Sequence, residues 1–271
     1  MIRSSTRGAA LLVLTFGCAT SAFAQSPAAL VLAEPDFTLV GLPTNLRVPK
    51  FKSAFRVTHR FIRPLGAGSF GNLAGDLFGL DGGAQIGLEY RFGIVPNGQI
   101  GIHRTSDKTI EFFGQYSIVR QNRMPFELSA LVSMEGTNNF KDSYSPAVGA
   151  IVSRRVGGVL AVYVEPIWVN NTNPLPSQVS DHNSTFILGL GARVRVRPTV
   201  YVVGEFSPRV AGYKQDRGVS QASVAVEKRA GGHTFQLNFS NSFGTTVGQI
   251  ARGGFNSEDW YMGFNISRKF R

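Results

Sequence analysis

The chain has 271 residues, of which 43% are apolar, 11% aromatic and 17% charged, and its 28 basic against 17 acidic residues give a net charge of +11. That apolar content excludes intrinsic disorder, 31 glycines without a triplet period exclude collagen, and a single cysteine excludes a disulfide framework. A mean hydropathy of +0.00 excludes a bundle of membrane helices, each of which needs about 20 consecutive apolar residues.

Residues 1–24 place Arg3 and Arg7 before an apolar run from Ala9 to Phe16 and end on Ala22-Phe23-Ala24. A basic end, a short apolar run and small residues at the cleavage position predict a secretory signal peptide, the run being too short for a spanning helix. Cys18 after Gly17 raises a lipoprotein alternative, for which Thr15 and Phe16 are poor neighbours. Removing this segment removes Cys18, the only cysteine, so thiol chemistry and thiolate metal sites are not expected. A basic chain ordinarily points to nucleic acid. Export redirects that charge to lipid phosphates, sugar acids or anionic solutes, and no nucleic-acid partner is expected.

Residues 25–50 contain prolines and show no period, which predicts a loosely packed periplasmic arm. From Phe51 the pattern changes to segments of about ten residues that alternate apolar with polar or small side chains, the period of a strand. In 84–94, Ala84, Ile86, Leu88, Tyr90, Phe92 and Ile94 fall on one face and Gln85, Gly87, Glu89, Arg91 and Gly93 on the other. Twelve such segments follow: 51–62, 84–94, 99–105, 109–120, 126–137, 146–155, 159–169, 185–196, 200–209, 219–229, 233–242 and 259–270. The connections 95–98, 121–125, 156–158, 197–199 and 230–232 are short, and with one exception around 106–108 those between them are long.

An even strand number with alternating short and long connections is the pattern of a bacterial outer-membrane barrel. A bilayer requires every backbone polar group to be paired within the protein, which a closed sheet achieves. The expected fold is therefore all-β, a single closed antiparallel transmembrane β-barrel of about 12 strands over 51–271, in the outer membrane of a Gram-negative cell. A soluble sandwich or lipocalin-like barrel has the same period, but it could not bury the many charges of the polar face at low cost. Aromatics at strand ends predict two interfacial girdles, with Phe61, Trp168, Phe186, Phe206 and Trp260 outside and Phe51, Tyr90, Phe92, Phe126 and Phe270 on the periplasmic side. Pro166 and Pro208 cannot donate to a ladder, which predicts bulges at the rim or strands that have left the bilayer there.

Several strings resemble an uncharacterised family of bacterial outer-membrane β-barrels, domain of unknown function 5777. They are His59-Arg60-Phe61, Asp76 to Asp81, Gly87-Leu88-Glu89-Tyr90, Arg120-Gln121, Glu165-Pro166, and Gly231-Gly232-His233 with Phe235-Gln236-Leu237. The resemblance implies a barrel and supplies no activity, cofactor or catalytic residue.

The candidate chemistry is sparse. Gly66 to Gly71 spells G-x-G-x-x-G, but a nucleotide site needs a parallel βαβ unit, and an outer loop with a helical turn near Leu73–Phe78 is expected instead. His59, His103, His182 and His233 are scattered without metal-ligand spacing. No same-face His-x-Ser pair or nucleophile elbow accompanies them, so neither an enzyme nor a cofactor is expected, with an outer-membrane lipid-acting enzyme as a remote alternative. The polar face is richer: Arg56, Arg60, Glu89, Arg91, Glu111, Glu127, Glu135, Glu165, Arg193, Arg195, Glu205, Arg209, Glu227 and Arg229 are candidate lumen-lining charges. Acids concentrate on strands four to seven and bases on eight to ten and one, predicting either a transverse field across a wet lumen or walls that meet as salt bridges. Twelve strands lie between a filled barrel and an open channel, so size leaves pore and plug equally open. A basic rim of Arg47, Lys50, Lys52, Arg120, Arg123, Arg154, Arg155, Arg197, Arg268, Lys269 and Arg271 predicts contact with lipid phosphates or an anionic periplasmic partner. The functional expectation is narrow passive passage of small polar or anionic solutes, with a non-conducting structural or docking barrel as the alternative. The expected partners are outer-membrane lipid and, during insertion, the barrel-assembly machinery.

Overall fold

The computed structural model describes residues 32–173, 182–214, 218–254, 256 and 258–270, so the expected signal peptide and residues 25–31 lie outside it. Thirteen strand segments form one antiparallel sheet: β1 (Ser53–Phe61), β2 (Ala84–Val95), β3 (Gly98–Thr105), β4 (Ile110–Val119), β5 (Glu127–Gly136), β6 (Asp142–Val156), β7 (Leu160–Asn170), β8 (Ser184–Arg197), β9 (Val200–Ser207), β10 (Arg209–Gly212), β11 (Gln221–Ala230), β12 (His233–Ser240) and β13 (Tyr261–Phe270). Strands pair with their neighbours in sequence except that β10 pairs with β8 and β9 with β11, and β1 pairs with β13 from Ser53↔Phe270 to Arg60↔Gly263, which closes the sheet. β9 and β10 are one strand interrupted at Pro208, so the barrel has twelve strands.

The interruption has the expected cause. Pro208 offers no N–H, and the register against β8 shifts between Arg209↔Ile187 and Ala211↔Phe186. Pro166 departs from expectation: Gly149↔Ile167 and Val152↔Val164 hold one register on either side of it, with the ladder skipping Glu165 and Pro166. Gly149 makes this possible, since a Cβ there would press on the Pro166 carbonyl oxygen at 2.8 Å and on Ile167.

Alternation sorts the faces as the sequence period predicts. Ile86, Leu88, Tyr90, Ile100, Ile102, Val132, Val148, Val162, Val164, Val202, Val224, Val226, Phe235 and Leu237 are exposed on the outer surface. Such a continuous apolar exterior is costly in water and suited to acyl chains. Among the girdle aromatics, Phe51, Tyr90, Trp168, Phe206 and Phe270 are exposed, whereas Phe61 is buried at 4%.

The interior departs most from expectation. The arm expected to hang loosely in the periplasm lies in the lumen from Ala33 to Val48, and Phe37, Leu39, Val40 and Leu42 are each at most 4% exposed. Leu39 N donates to the Leu42 carbonyl and Thr44 N to the Phe37 carbonyl, both at 2.8 Å, folding 37–44 into a hairpin with Val40 and Gly41 at its tip. Inward residues of the wall, Leu131, Ile151, Ile167, Ile187 and Val203, join Leu39, Val40 and Leu42 in one apolar cluster. The cluster also takes in Val247, Ile250 and Ala251 from the short helix Val247–Arg252 in the connection between β12 and β13. The lumen is thus filled by two chain segments that meet inside the barrel.

Candidate functional site: an occluded charged lumen

Twelve of the fourteen candidate charges are buried inside the barrel: Arg56, Arg60, Glu89, Arg91, Glu111, Glu127, Glu135, Glu165, Arg193, Glu205, Arg209 and Glu227. Arg195 and Arg229, on the same inward faces near the short-turn end, are half-buried. A strand's period of two fixes this placement. The set holds seven acids and seven bases, to which the inward-facing Arg155 and Lys269 add two bases.

Four of the seven wall acids, Glu89, Glu127, Glu135 and Glu227, meet a base. Arg56 Nη2 lies 2.7 Å from Glu89 Oε2, Arg91 pairs with the other oxygen, and His103 Nδ1 sits 4.0 Å away. Arg193 pairs with Glu227 at 3.1 Å, and Arg155, expected only at the rim, reaches Glu127 at 2.8 Å. Glu135 is held by Arg252 from the outer connection at 2.6 Å and by the Thr246 hydroxyl. Glu111 accepts the Val247 N–H at 3.1 Å, and Arg60 donates to Asn265 Oδ1 at 2.9 Å. The Arg209 guanidinium donates to the Arg252 carbonyl at 3.2 Å and to that of Gly218.

Glu205 binds the hairpin tip. Its carboxylate accepts from Val40 N at 2.9 Å, from Gly41 N at 2.9 Å and from Leu42 N at 3.0 Å. Successive backbone N–H groups turned to one side make an anion-binding concavity, and charge-assisted bonds are among the stronger hydrogen bonds. Wall side chains also reach the hairpin carbonyls: Arg193 bonds Thr38 O at 2.6 Å, Gln236 bonds Leu39 O at 2.7 Å, and Asn265 bonds Val40 O at 2.9 Å. Gln115 reaches Thr44 O at 2.8 Å.

The entry and exit of the arm are fastened near the short-turn end. Tyr201 Oη donates to Leu32 O at 2.9 Å, and Tyr163 Oη donates to Glu34 Oε1 at 2.7 Å. Burial pushes the Glu34 carboxyl above its ordinary range, with the Tyr163 bond opposing the shift. On the way out, Val48 N donates to Gln99 Oε1 at 2.9 Å and Phe51 N to the Gly93 carbonyl at 2.7 Å. Gly93 has no side chain because a Cβ would overlap the Pro49 and Val48 carbonyls.

The wall is shaped for its occupant. A Cβ at Gly191 would overlap the Leu39 side chain, and one at Gly189 would press on Leu42 at 3.1 Å. At the tip, a Cβ on Gly41 would lie 3.1 Å from Ile250 Cδ1, so hairpin and outer connection touch. The enclosed space beside them, lined by Thr38, Gly41, Arg56, Glu89, Arg91, His103 and Glu111, amounts to about 20 Å³, room for roughly one water. Both oxygens of Glu165 are buried without a hydrogen-bond partner among the described residues.

Sequence reasoning identified the wall charges and missed their partners. The available signal was the inward pair Gly189 and Gly191, which leaves a groove in β8, together with the apolar string Phe37 to Leu42 in an otherwise unassigned arm. The G-x-G-x-x-G string lies in the connection between β1 and β2, where Ser69 caps the short helix Phe70–Gly75 and every neighbouring strand is antiparallel. His59 stacks on Phe264 on the outer face, with ring centroids 4.8 Å apart.

A family model described as a membrane-bound β-barrel domain, domain of unknown function 5777, matches residues 36–270. Solved structures of porins share the fold at low identity. The NanC porin aligns with a TM-score of 0.53 and 6% identity over 81% of this chain and 99% of its own. The KdgM porin, crystallised in complex with disordered oligogalacturonate, aligns at 0.50 and 8% over 81% and 99%. An outer-membrane channel from Pseudomonas putida F1 aligns at 0.53 and 13% over 83% and 98%. No curated protein matches the chain by sequence.

Proposed function

The chain belongs to the membrane-bound β-barrel family known as domain of unknown function 5777, and from that premise we propose that it is an outer-membrane channel for small polar solutes, held shut by its own hairpin at 37–44. The observation that carries this reading is the contrast between wall and occupant. Beside its apolar patch the wall carries many charged and amide side chains, as an aqueous lumen requires, and the segment that fills it precedes β1 in the chain and is held there by non-covalent contacts. A barrel whose only role was structural could fill its interior with side chains from its own strands. The porin fold shared with the solved neighbours supports an outer-membrane location.

Selectivity follows from where the charge lies. The seven wall acids face Arg56, Arg60, Arg91, Arg193, Arg195, Arg209 and Arg229 together with Arg155 and Lys269, and Arg47, Lys50, Lys52, Arg120, Arg123 and Arg197 cluster about the short-turn end. A leaning toward anions therefore arises at that entrance and weakens as ionic strength rises. A second reading, a permanently filled docking barrel, draws on the apolar cluster that joins hairpin, wall and outer helix.

Planar bilayers distinguish the two. The protein lacking residues 33–46 should conduct in steps, with a reversal potential toward anions in a salt gradient at low ionic strength, while the intact chain conducts rarely. Absence of steps from the truncated barrel, with its strand content intact by circular dichroism, would refute the channel reading.

A further inference from the structure

Phe61 is an outward-facing residue of β1, in step with Phe55, Val57 and His59, yet it is 4% exposed. What covers it is the β1–β2 connection, residues 62–83. A Cβ built on Gly79 would lie 3.4 Å from Phe61 Cβ, and Leu65 N donates to the Trp260 carbonyl at 2.7 Å. The connection therefore packs against outward-facing Phe61 beside the β1–β13 seam. Its own apolar side chains are left outside. Phe70 is 75% exposed, Leu77 56%, Leu80 52% and Phe78 40%, with the Phe70 and Phe78 rings meeting edge to face at 6.3 Å.

Among the described side chains of this surface the charges are those of Arg63 and Asp76. Arg63 pairs with Asp76, and its guanidinium also donates to the Ala67 carbonyl at 2.8 Å, which holds the fold of the connection together. Ile86 of the lipid-facing band, which pairs with His59 two residues before Phe61, is exposed as well. Exposed clusters of large apolar side chains mark an interaction surface, and aromatic and aliphatic groups at the level of a strand end are the usual anchors of a barrel at the interface.

We propose that the connection 62–83 is a lipid anchor, with Phe70, Leu77, Phe78 and Leu80 inserted among the acyl chains at the outer boundary of the bilayer. The occupant is the membrane because the patch adjoins a surface that already faces lipid. The consequence for the barrel is a clasp over its closing seam, where β1 meets β13. It does not depend on whether the lumen conducts.

The test is site-directed quenching in liposomes. The full-length protein with Phe70→Cys or Leu80→Cys in a Cys18→Ser background is labelled with a small fluorophore and reconstituted into phosphatidylcholine containing doxyl-labelled acyl chains. Lys141→Cys, on a different and charged outer connection, serves as the reference. Both labels in 62–83 should be quenched several-fold more by doxyl lipid than the reference, and less by aqueous iodide. Quenching by iodide equal to the reference, without doxyl quenching, would overturn the proposal. Protection from both quenchers would overturn it too, since a second protein surface would then be the occupant.

Discussion

Replacing Glu205 by Gln perturbs hairpin seating with little change of shape. The carboxylate accepts from three consecutive N–H groups of the tip, and Gly41 N reaches both oxygens, at 2.9 and 3.0 Å. An amide keeps one acceptor oxygen and turns an NH2 group toward the same donors, so charge assistance is lost and a donor faces a donor. Hydrogen bonds to a charged group contribute about 1.5–3 kcal/mol each. Losing the equivalent of two weak ones costs about 3 kcal/mol, which at about 1.4 kcal/mol per decade is roughly a hundredfold in the release equilibrium. The assay is hydrogen exchange followed by mass spectrometry on detergent-solubilised protein, comparing peptides over 37–46 with peptides from β3 and β12. Exchange of the hairpin peptides should accelerate by up to that factor, while the strand peptides keep their protection. Equal rates for Glu205→Gln and the native chain would refute the role assigned to the Glu205 carboxylate.

Gly191→Val places side-chain atoms where Leu39 now sits and should expel the hairpin, read as frequent conductance steps from a barrel with native strand content. Leu39→Ala empties a fully buried site and should weaken seating by about 2–5 kcal/mol, seen as faster protease cleavage within 32–50. Glu34 faces the Tyr163 hydroxyl and the Asn45 N–H, with Glu127, Arg155 and Arg193 as its neighbouring charges. Because its carboxyl is raised above 4.5 when buried, its support for seating is complete below that pH and is lost as pH rises through the raised value. Open probability should therefore climb as pH is raised from about 4.5, and Glu34→Gln should flatten that climb. Arg252→Ala removes the 2.6 Å pairing with buried Glu135 and should loosen the outer helix, measured as faster hydrogen exchange over 243–254 with hairpin exchange rising in step through the Gly41–Ile250 contact.

Much of the architecture is legible in the chain because a strand carries its own signature. The alternation over 84–94 gives β2 to within a residue, the last alternating segment gives β13, and the short turns at 95–98 and 230–232 fall where strands reverse. The same period assigns Glu205 and Arg193 to the interior. Period says which face a side chain takes and nothing about what stands opposite it. Hence Arg193 with Glu227, Arg155 with Glu127 and Arg252 with Glu135 could not be read as pairs, although walls meeting as salt bridges were one of the two expected arrangements. The hairpin was hidden for another reason. Residues 37–44 make only one internal turn and take their stability from the wall, so the local sequence carries no repeating pattern. Inward apolar residues such as Ile151, Ile167 and Ile187 look like ordinary strand formers until the segment they pack against is in place.

Closure of the lumen is assigned to the hairpin, seated against the outer helix, and not to the wall. Leu39 lies directly against the β8 groove at Gly191, so Leu39→Cys with Gly191→Cys, joined by a short cleavable bis-thiosulfonate, fastens the hairpin in its seat. In planar bilayers the joined protein should show no openings, and reduction of the linker should restore those of the uncrosslinked double variant. Identical conductance before and after cleavage, with crosslinking verified by mass spectrometry, would contradict the account.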